Sequence, residues 1–214
     1  TFVRASIQFL EQNPDYVGCN GGRFLFEYRH NRCQFLAKYK SQRLLGNNAF
    51  DRLCDYARQG GILFYALMRS STFVGSLAGM DRLTEDNVAE ILLNYRLPRF
   101  GKFSRLKELH LARQYPRPTV FNVPTPLSWS LDSDMYQSLN TCIKMLGEDY
   151  APSCKDKSAE EIFANSVGFY LHQRFALAKA CRRKSIRQLV DDRYFYIANR
   201  PSIEAMLYAL MSSR

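Results

Sequence analysis

The chain has 214 residues, 46% hydrophobic and 14% aromatic, which is enough apolar surface for a folded core and excludes a disordered chain. Thirty Lys and Arg against 20 Asp and Glu leave a net charge of +10. That balance favours anionic partners such as nucleic acid, acidic lipid or phosphate-bearing small molecules, or it serves solubility alone. The longest apolar run, 62–68, falls far short of the roughly 20 residues needed to span a bilayer, so no transmembrane segment or signal peptide is expected.

Six cysteines (Cys19, Cys33, Cys54, Cys142, Cys154 and Cys181) form no C-x-x-C pair and sit mostly among apolar neighbours. They read as small buried hydrophobes in a reducing, cytoplasmic compartment. His30, His110 and His172 stand apart from one another, so no metal site is expected from this chain alone. The start at Thr1, without methionine, reads as a cut through a longer polypeptide.

In chain order, residues 1–12 have a helical pattern with Phe2 (or Val3), Ile7, Phe9 and Leu10 on an apolar side, stopped by Asn13-Pro14-Asp15. Residues 16–19 suggest a short strand and Asn20-Gly21-Gly22 a turn. Residues 23–29 and 33–39 alternate, with His30-Asn31-Arg32 between them, as a hairpin does. Asn48 caps a helix over 49–58 that carries Phe50, Leu53, Cys54 and Ala57 inward and breaks at Gly60-Gly61. Residues 62–68 are apolar without interruption and predict a strand buried on both faces. A short helix over 71–83 follows.

Residues 84–114 are the centre of the pattern. Thr84 is placed as an N-cap, and Glu85 and Asp86 fall in the first turn, where the helix dipole favours negative charge. Val88, Ile91, Leu92 and Tyr95 form one buried stripe, Pro98 and Gly101 end the helix, and a strand over 103–113 runs to Gln114. Four prolines, Pro116, Pro118, Pro124 and Pro126, then mark a boundary. Beyond it the pattern is helical from Asp132, with a capping box over 158–161 and a last helix from Pro201 to Met211. The fold class expected is therefore α/β over 1–115, a proline-rich linker over 116–130 and an all-helical C-terminal extension over 131–214.

Four features are candidates for chemistry. Glu85 and Asp86, at a helix start beside a core, suit a general base as well as they suit a cap. Gly21 and Gly22 suit a loop that lets backbone approach a ligand, or a plain turn. Asp132-Ser133-Asp134 is a D-x-D that reads as a cap in preference to a cation site. The basic clusters Arg96-Arg99-Lys102-Arg105-Lys107, Arg113-Arg117 and Arg182-Arg183-Lys184-Arg187 suit a phosphate backbone or a solvated face.

Several stretches resemble a bacterial group of family-2-like, GT-A-type glycosyltransferases. ASIQFLEQNPDYVGCNGG is similar to the helix and strand that follow the metal-binding D-x-D in those enzymes. DRLCDYARQGGILFYALMRSS is similar to their next helix and buried strand. TEDNVAEILLNYRLPRFGKFSRLKELHLARQ is similar to the segment with the acidic base and the strand after it, and LSWSLDSDMYQSLNTCIKML continues the likeness more weakly.

The resemblance implies transfer of a sugar from a nucleotide donor to an acceptor hydroxyl. It implies an incomplete GT-A-like (Rossmann-like) mixed sheet with Asp86, or Glu85, at the base position. A divalent metal, Mn or Mg, would be held with the nucleotide sugar by an N-terminal half, or a partner chain, outside this sequence. Arg69, Arg113 and the adjoining Gln114, with Gly21 and Gly22, are expected on the substrate side. A non-catalytic scaffold on the same half-fold and a basic nucleic-acid-binding protein remain the rival expectations.

Overall fold

The structure is a computed structural model that describes residues 1–29, 32–39, 41–114, 133–154 and 201. The linker over 116–130 with Arg117, the capping box, the basic cluster over 182–187 and the last helix beyond Pro201 lie outside the described residues, as do Asp132 and Cys181. The elements in order are α1 (Phe2–Gln12), β1 (Tyr16–Arg29), β2 (Arg32–Tyr39), α2 (Ala49–Gln59), β3 (Leu67–Met68), α3 (Ser70–Ser76), a single 3₁₀ turn (Met80–Arg82), α4 (Asp86–Phe100), β4 (Lys102–Gln114) and α5 (Ser133–Tyr150). The class is mixed α/β, with a four-stranded mixed sheet.

β1 is the spine of that sheet. One edge pairs in parallel with β4, from Tyr16↔Lys102 to Phe26↔Gln114. The other edge is shared by β3, antiparallel at Gly18↔Met68, and by β2, antiparallel from Arg23↔Tyr39 to Arg29↔Arg32. The expected hairpin is thus present. The turn expected at Asn20-Gly21-Gly22 is not, because these residues lie inside the continuous strand β1. A Cβ on Gly21 would collide with the Glu108 carbonyl of β4 and meet Phe2 of α1 at 2.8 Å. Glycine is required there for close approach of strand and helix, not for turning.

Two further expectations are corrected. Of the apolar run 62–68, only Leu67–Met68 is strand. Ile62, Leu63 and Ala66 are buried in an irregular segment, since apolar composition specifies burial and not backbone pairing. The Asn94 carboxamide satisfies that segment, its Oδ1 accepting from the Leu63 and Phe64 amides at 2.6 and 3.3 Å. The helix expected over 71–83 stops at Ser76, and Gly79 takes a left-handed φ of 70° before the 3₁₀ turn.

Helices flank the sheet. α1 lays Phe2 and Leu10 over Cys19, Leu67 and Leu106. Val3 and Ile7, expected on or near its apolar side, are largely exposed. The main core joins Val17 and Phe103 of the sheet to Leu53 and Tyr56 of α2, the α4 stripe, and Met135, Cys142, Met145 and Leu146 of α5. The first helix beyond the linker therefore belongs to the same core as the α/β part. Asn48 caps α2 as expected, its Oδ1 accepting from the Asp51 amide at 2.8 Å.

Burial of titratable groups follows the packing. Desolvation pushes the Cys142 thiol up to about 12 and the Cys19 thiol to about 11, so both are inert hydrophobes. His110 of β4 stacks on Phe2 with ring centroids 4.2 Å apart. Burial, with Arg23 nearby, pulls its pKa down to about 4 against an opposing contact from the Tyr65 backbone.

Replacing Asn94 with Ala leaves two buried amides without an acceptor and is expected to cost about 1–3 kcal/mol in urea unfolding. For His110, the unfolded chain takes up a proton near pH 6.5 and the fold near about 4. The unfolded state therefore binds more protons across that window, and stability falls as pH drops through it. Unfolding curves of His110→Gln should fall less steeply from pH 6.5 to 4 than those of the native protein.

Candidate functional site

The site is built on α4. Residues 91–98 are buried without a break, so this helix has no solvent face along about two turns. Asp86 in its first turn and Arg99 in its last are exposed. Glu85, not Thr84, is the N-cap, and its side chain makes no capping hydrogen bond; its carbonyl accepts from the Val88 and Ala89 amides. Asp86 is exposed and Glu85 half-buried. Among the described residues neither carboxylate makes a hydrogen bond or ion pair. Thr84 bonds across to α5 instead. Its amide donates to Ser138 Oγ at 3.2 Å, and its Oγ1 shares a 2.7 Å hydrogen bond with the same hydroxyl.

The far end of α4 is closed by charge. Pro98, expected to stop the helix, lies within its last turn, and the helix runs on to Phe100. The Pro98 and Arg99 carbonyls accept from the buried Arg52 of α2 at 2.7 and 3.2 Å, a cation placed at the negative end of the helix dipole. Arg96 donates to Asp149 of α5 at 2.6 Å and to the Ser76 and Ala78 carbonyls at 3.1 and 2.5 Å. Arg99 pairs with the other oxygen of Asp149. The Tyr150 hydroxyl donates to the Tyr95 carbonyl at 2.8 Å; its burial pushes the phenol pKa up.

These links fix the relation of the two helices. Residue 84 meets 138, and residues 95 and 96 meet 150 and 149, so α5 runs parallel to α4 and their N-termini lie side by side. Asp134, in the first turn of α5, belongs to that same end. Two positive dipole ends repel each other, and acidic residues in the first turns offset the repulsion.

The remaining sequence candidates are placed elsewhere. Arg69 precedes α3 and donates to the Tyr16 and Leu10 carbonyls at 3.0 and 2.6 Å. That is the end of the sheet where Lys102 N bonds the Asp15 carbonyl, opposite α4's first turn across a helix length on the order of 20 Å. Arg69 therefore ties α1, β1 and α3 together. Gly21 is enclosed between β4 and α1, and Gly22 pairs with Leu109 of β4. Arg113 and Gln114 close β4, paired in register with Leu25 and Phe26, and both have other interactions. Among the described residues no hydrogen bond or ion pair joins any of these five to Glu85 or Asp86.

The basic cluster is reduced in the same way. Arg96 and Arg99 share Asp149, and Lys102 pairs with Asp15 at 2.9 Å. Arg105 and Lys107 on β4 remain exposed. Sequence reasoning missed Ser138 and Asp149. A signal for Ser138 existed: it is a small polar residue in the Met135, Ser138, Cys142, Met145 stripe of α5, all buried.

Among the described residues no three His, Cys, Asp or Glu side chains gather to hold a metal ion, and no helix is long and apolar enough to cross a membrane. No protein-family model matches the chain, and neither the curated proteins nor the solved structures contain a significant match to it.

Because Arg69 is used on backbone carbonyls, Arg69→Ala is expected to lower unfolding stability by about 1–3 kcal/mol. Calorimetry should register the loss with or without a nucleotide sugar present; a ligand-binding arginine would give the opposite pattern, an unchanged apo Tm and lost ligand stabilisation.

Proposed function

We propose that this chain is the acceptor-side part of a GT-A-like glycosyltransferase, which moves a sugar from a nucleotide donor to an acceptor hydroxyl. One observation supports it above the others. Two carboxylates, without a hydrogen bond or ion pair among the described residues, sit at the start of a helix whose residues 91–98 are buried without a break. Glu85, the N-cap, makes no side-chain capping bond. The order of a helix and strand, a second helix and short strand, and an acidic helix with a final strand supports the reading, although the strand after the second helix is only Leu67–Met68 and α3 intervenes before the acidic helix.

In this reading Asp86 is the base. Its exposed carboxylate accepts the proton of the acceptor hydroxyl, and the freed oxygen attacks the anomeric carbon in line. The bond from that carbon to the donor phosphate breaks, and the nucleoside diphosphate leaves. Glu85, half-buried beside it, contributes negative charge that holds the acceptor proton. In this reading the donor and any Mn or Mg would be held by an N-terminal half or a partner chain, as the resemblance implies; among the described residues no ligand cluster for a metal gathers. Of the cluster 96–107, Arg96, Arg99 and Lys102 are ion-paired, which leaves Arg105 and Lys107 as its exposed members for a phosphate backbone.

In the complete protein, Asp86→Asn is expected to lower sugar transfer by about 10²–10⁴-fold, the range for loss of a general base. Its Tm should stay within about 2 °C of native, as for a surface change without a partner. Retention of full transfer by this variant would refute the assignment.

A further inference from the structure

We propose that Ser138 is a positioning residue for Asp86, an inference that rests on the glycosyltransferase reading. The start of α4 is weakly held from its own side. Residues 77–83 are turns around the left-handed Gly79, and the N-cap side chain makes no bond. Among the described residues, the segment 84–86 has one tertiary side-chain link, the pair of hydrogen bonds from Thr84 to Ser138 Oγ.

Ser138 is 3% exposed and anchored in the core stripe of α5, so its hydroxyl is a fixed point. Asp86, the first residue of α4, follows Thr84 closely in the chain, with the extended N-cap Glu85 between them. The hydroxyl therefore sets the direction in which α4 begins and, through it, where the Asp86 carboxylate points. The link also passes control of the site to the region after the linker. α5 holds α4 at its start through Ser138 and near its end through Asp149 and Tyr150, and only the first of these lies beside the carboxylates.

A purely structural bond and a positioning bond differ in what they change. A near-attack geometry lost by a fraction of an ångström lowers turnover while leaving substrate binding intact. The test compares Ser138→Ala, Thr84→Val and Ser138→Thr in the full-length protein. Readouts are sugar-transfer kinetics, Tm, and amide exchange of Val88 and Ala89. Thr84 is exposed, so Thr84→Val keeps the core intact should Ser138→Ala fold poorly.

The expected result is a loss in kcat of about tenfold for Ser138→Ala and a smaller loss for Thr84→Val, with KM within about twofold and faster exchange at Val88 and Ala89. Ser138→Thr, which keeps the hydroxyl, should restore kcat. Unchanged kcat or unchanged exchange overturns the inference while leaving the function standing. So does a loss that tracks Tm and is not rescued by Thr. Absence of transfer by the native full-length protein removes the function itself and the inference with it.

Discussion

A helix buried on every side must have each of its requirements met by its neighbours, and α4 is such a helix along residues 91–98. Its apolar positions are covered by α2, α5 and the sheet. Its polar ones are each matched: Asn94 to the amides of the 62–66 segment, Arg96 to Asp149 and two carbonyls, and the last carbonyls to Arg52. Leaving any of these groups unmatched would cost about 1–3 kcal/mol or more, a large part of a domain's net stability. The positions of α2, α3, α5 and the irregular segment follow from satisfying this one element.

Arginine supplies many of those matches. Arg23, Arg52 and Arg96 are buried, and all three donate to main-chain carbonyls; Arg23 reaches the Ile62 carbonyl at 2.8 Å and Gln42 Oε1 at 2.5 Å. The forked guanidinium suits this use because it can hold two carbonyls at once while its stem lies along apolar surface. Part of the basic excess of the chain is therefore structural. A count of charges along the sequence treats these residues as surface, which is why the expected basic footprint lost three of its members to ion pairs.

Where the sequence was legible, local chemistry and tertiary outcome agreed. Asn48 and Gly60 bound α2, the latter with φ of 62°, and the period-two runs on either side of His30-Asn31 pair as a hairpin. Asp86 and Glu85 were visible because acid at a helix start is a local signal. The failures share a cause: the deciding partner was distant in sequence. Asn20-Gly21-Gly22 has turn composition, yet it is kept within a strand by β4, which begins only at Lys102, with the register shifting on either side of Gly22. Thr84 has cap composition, yet its hydroxyl is taken by Ser138. Pro98 lies within the last turn of α4, and the carbonyls of that end are met by Arg52, which stands 46 residues away in the chain.

The parallel pairing of α4 with α5 has a consequence for synthesis. α4 is complete at Phe100, but its partner is not complete until Tyr150. During translation at about 5–20 residues per second, the growing chain carries an apolar face of α4 uncovered for several seconds before α5 has been made. The proline-bearing stretch over 116–126 separates the two. The nascent protein is most open to chaperones, and to misassociation with its neighbours on a polysome, over that interval.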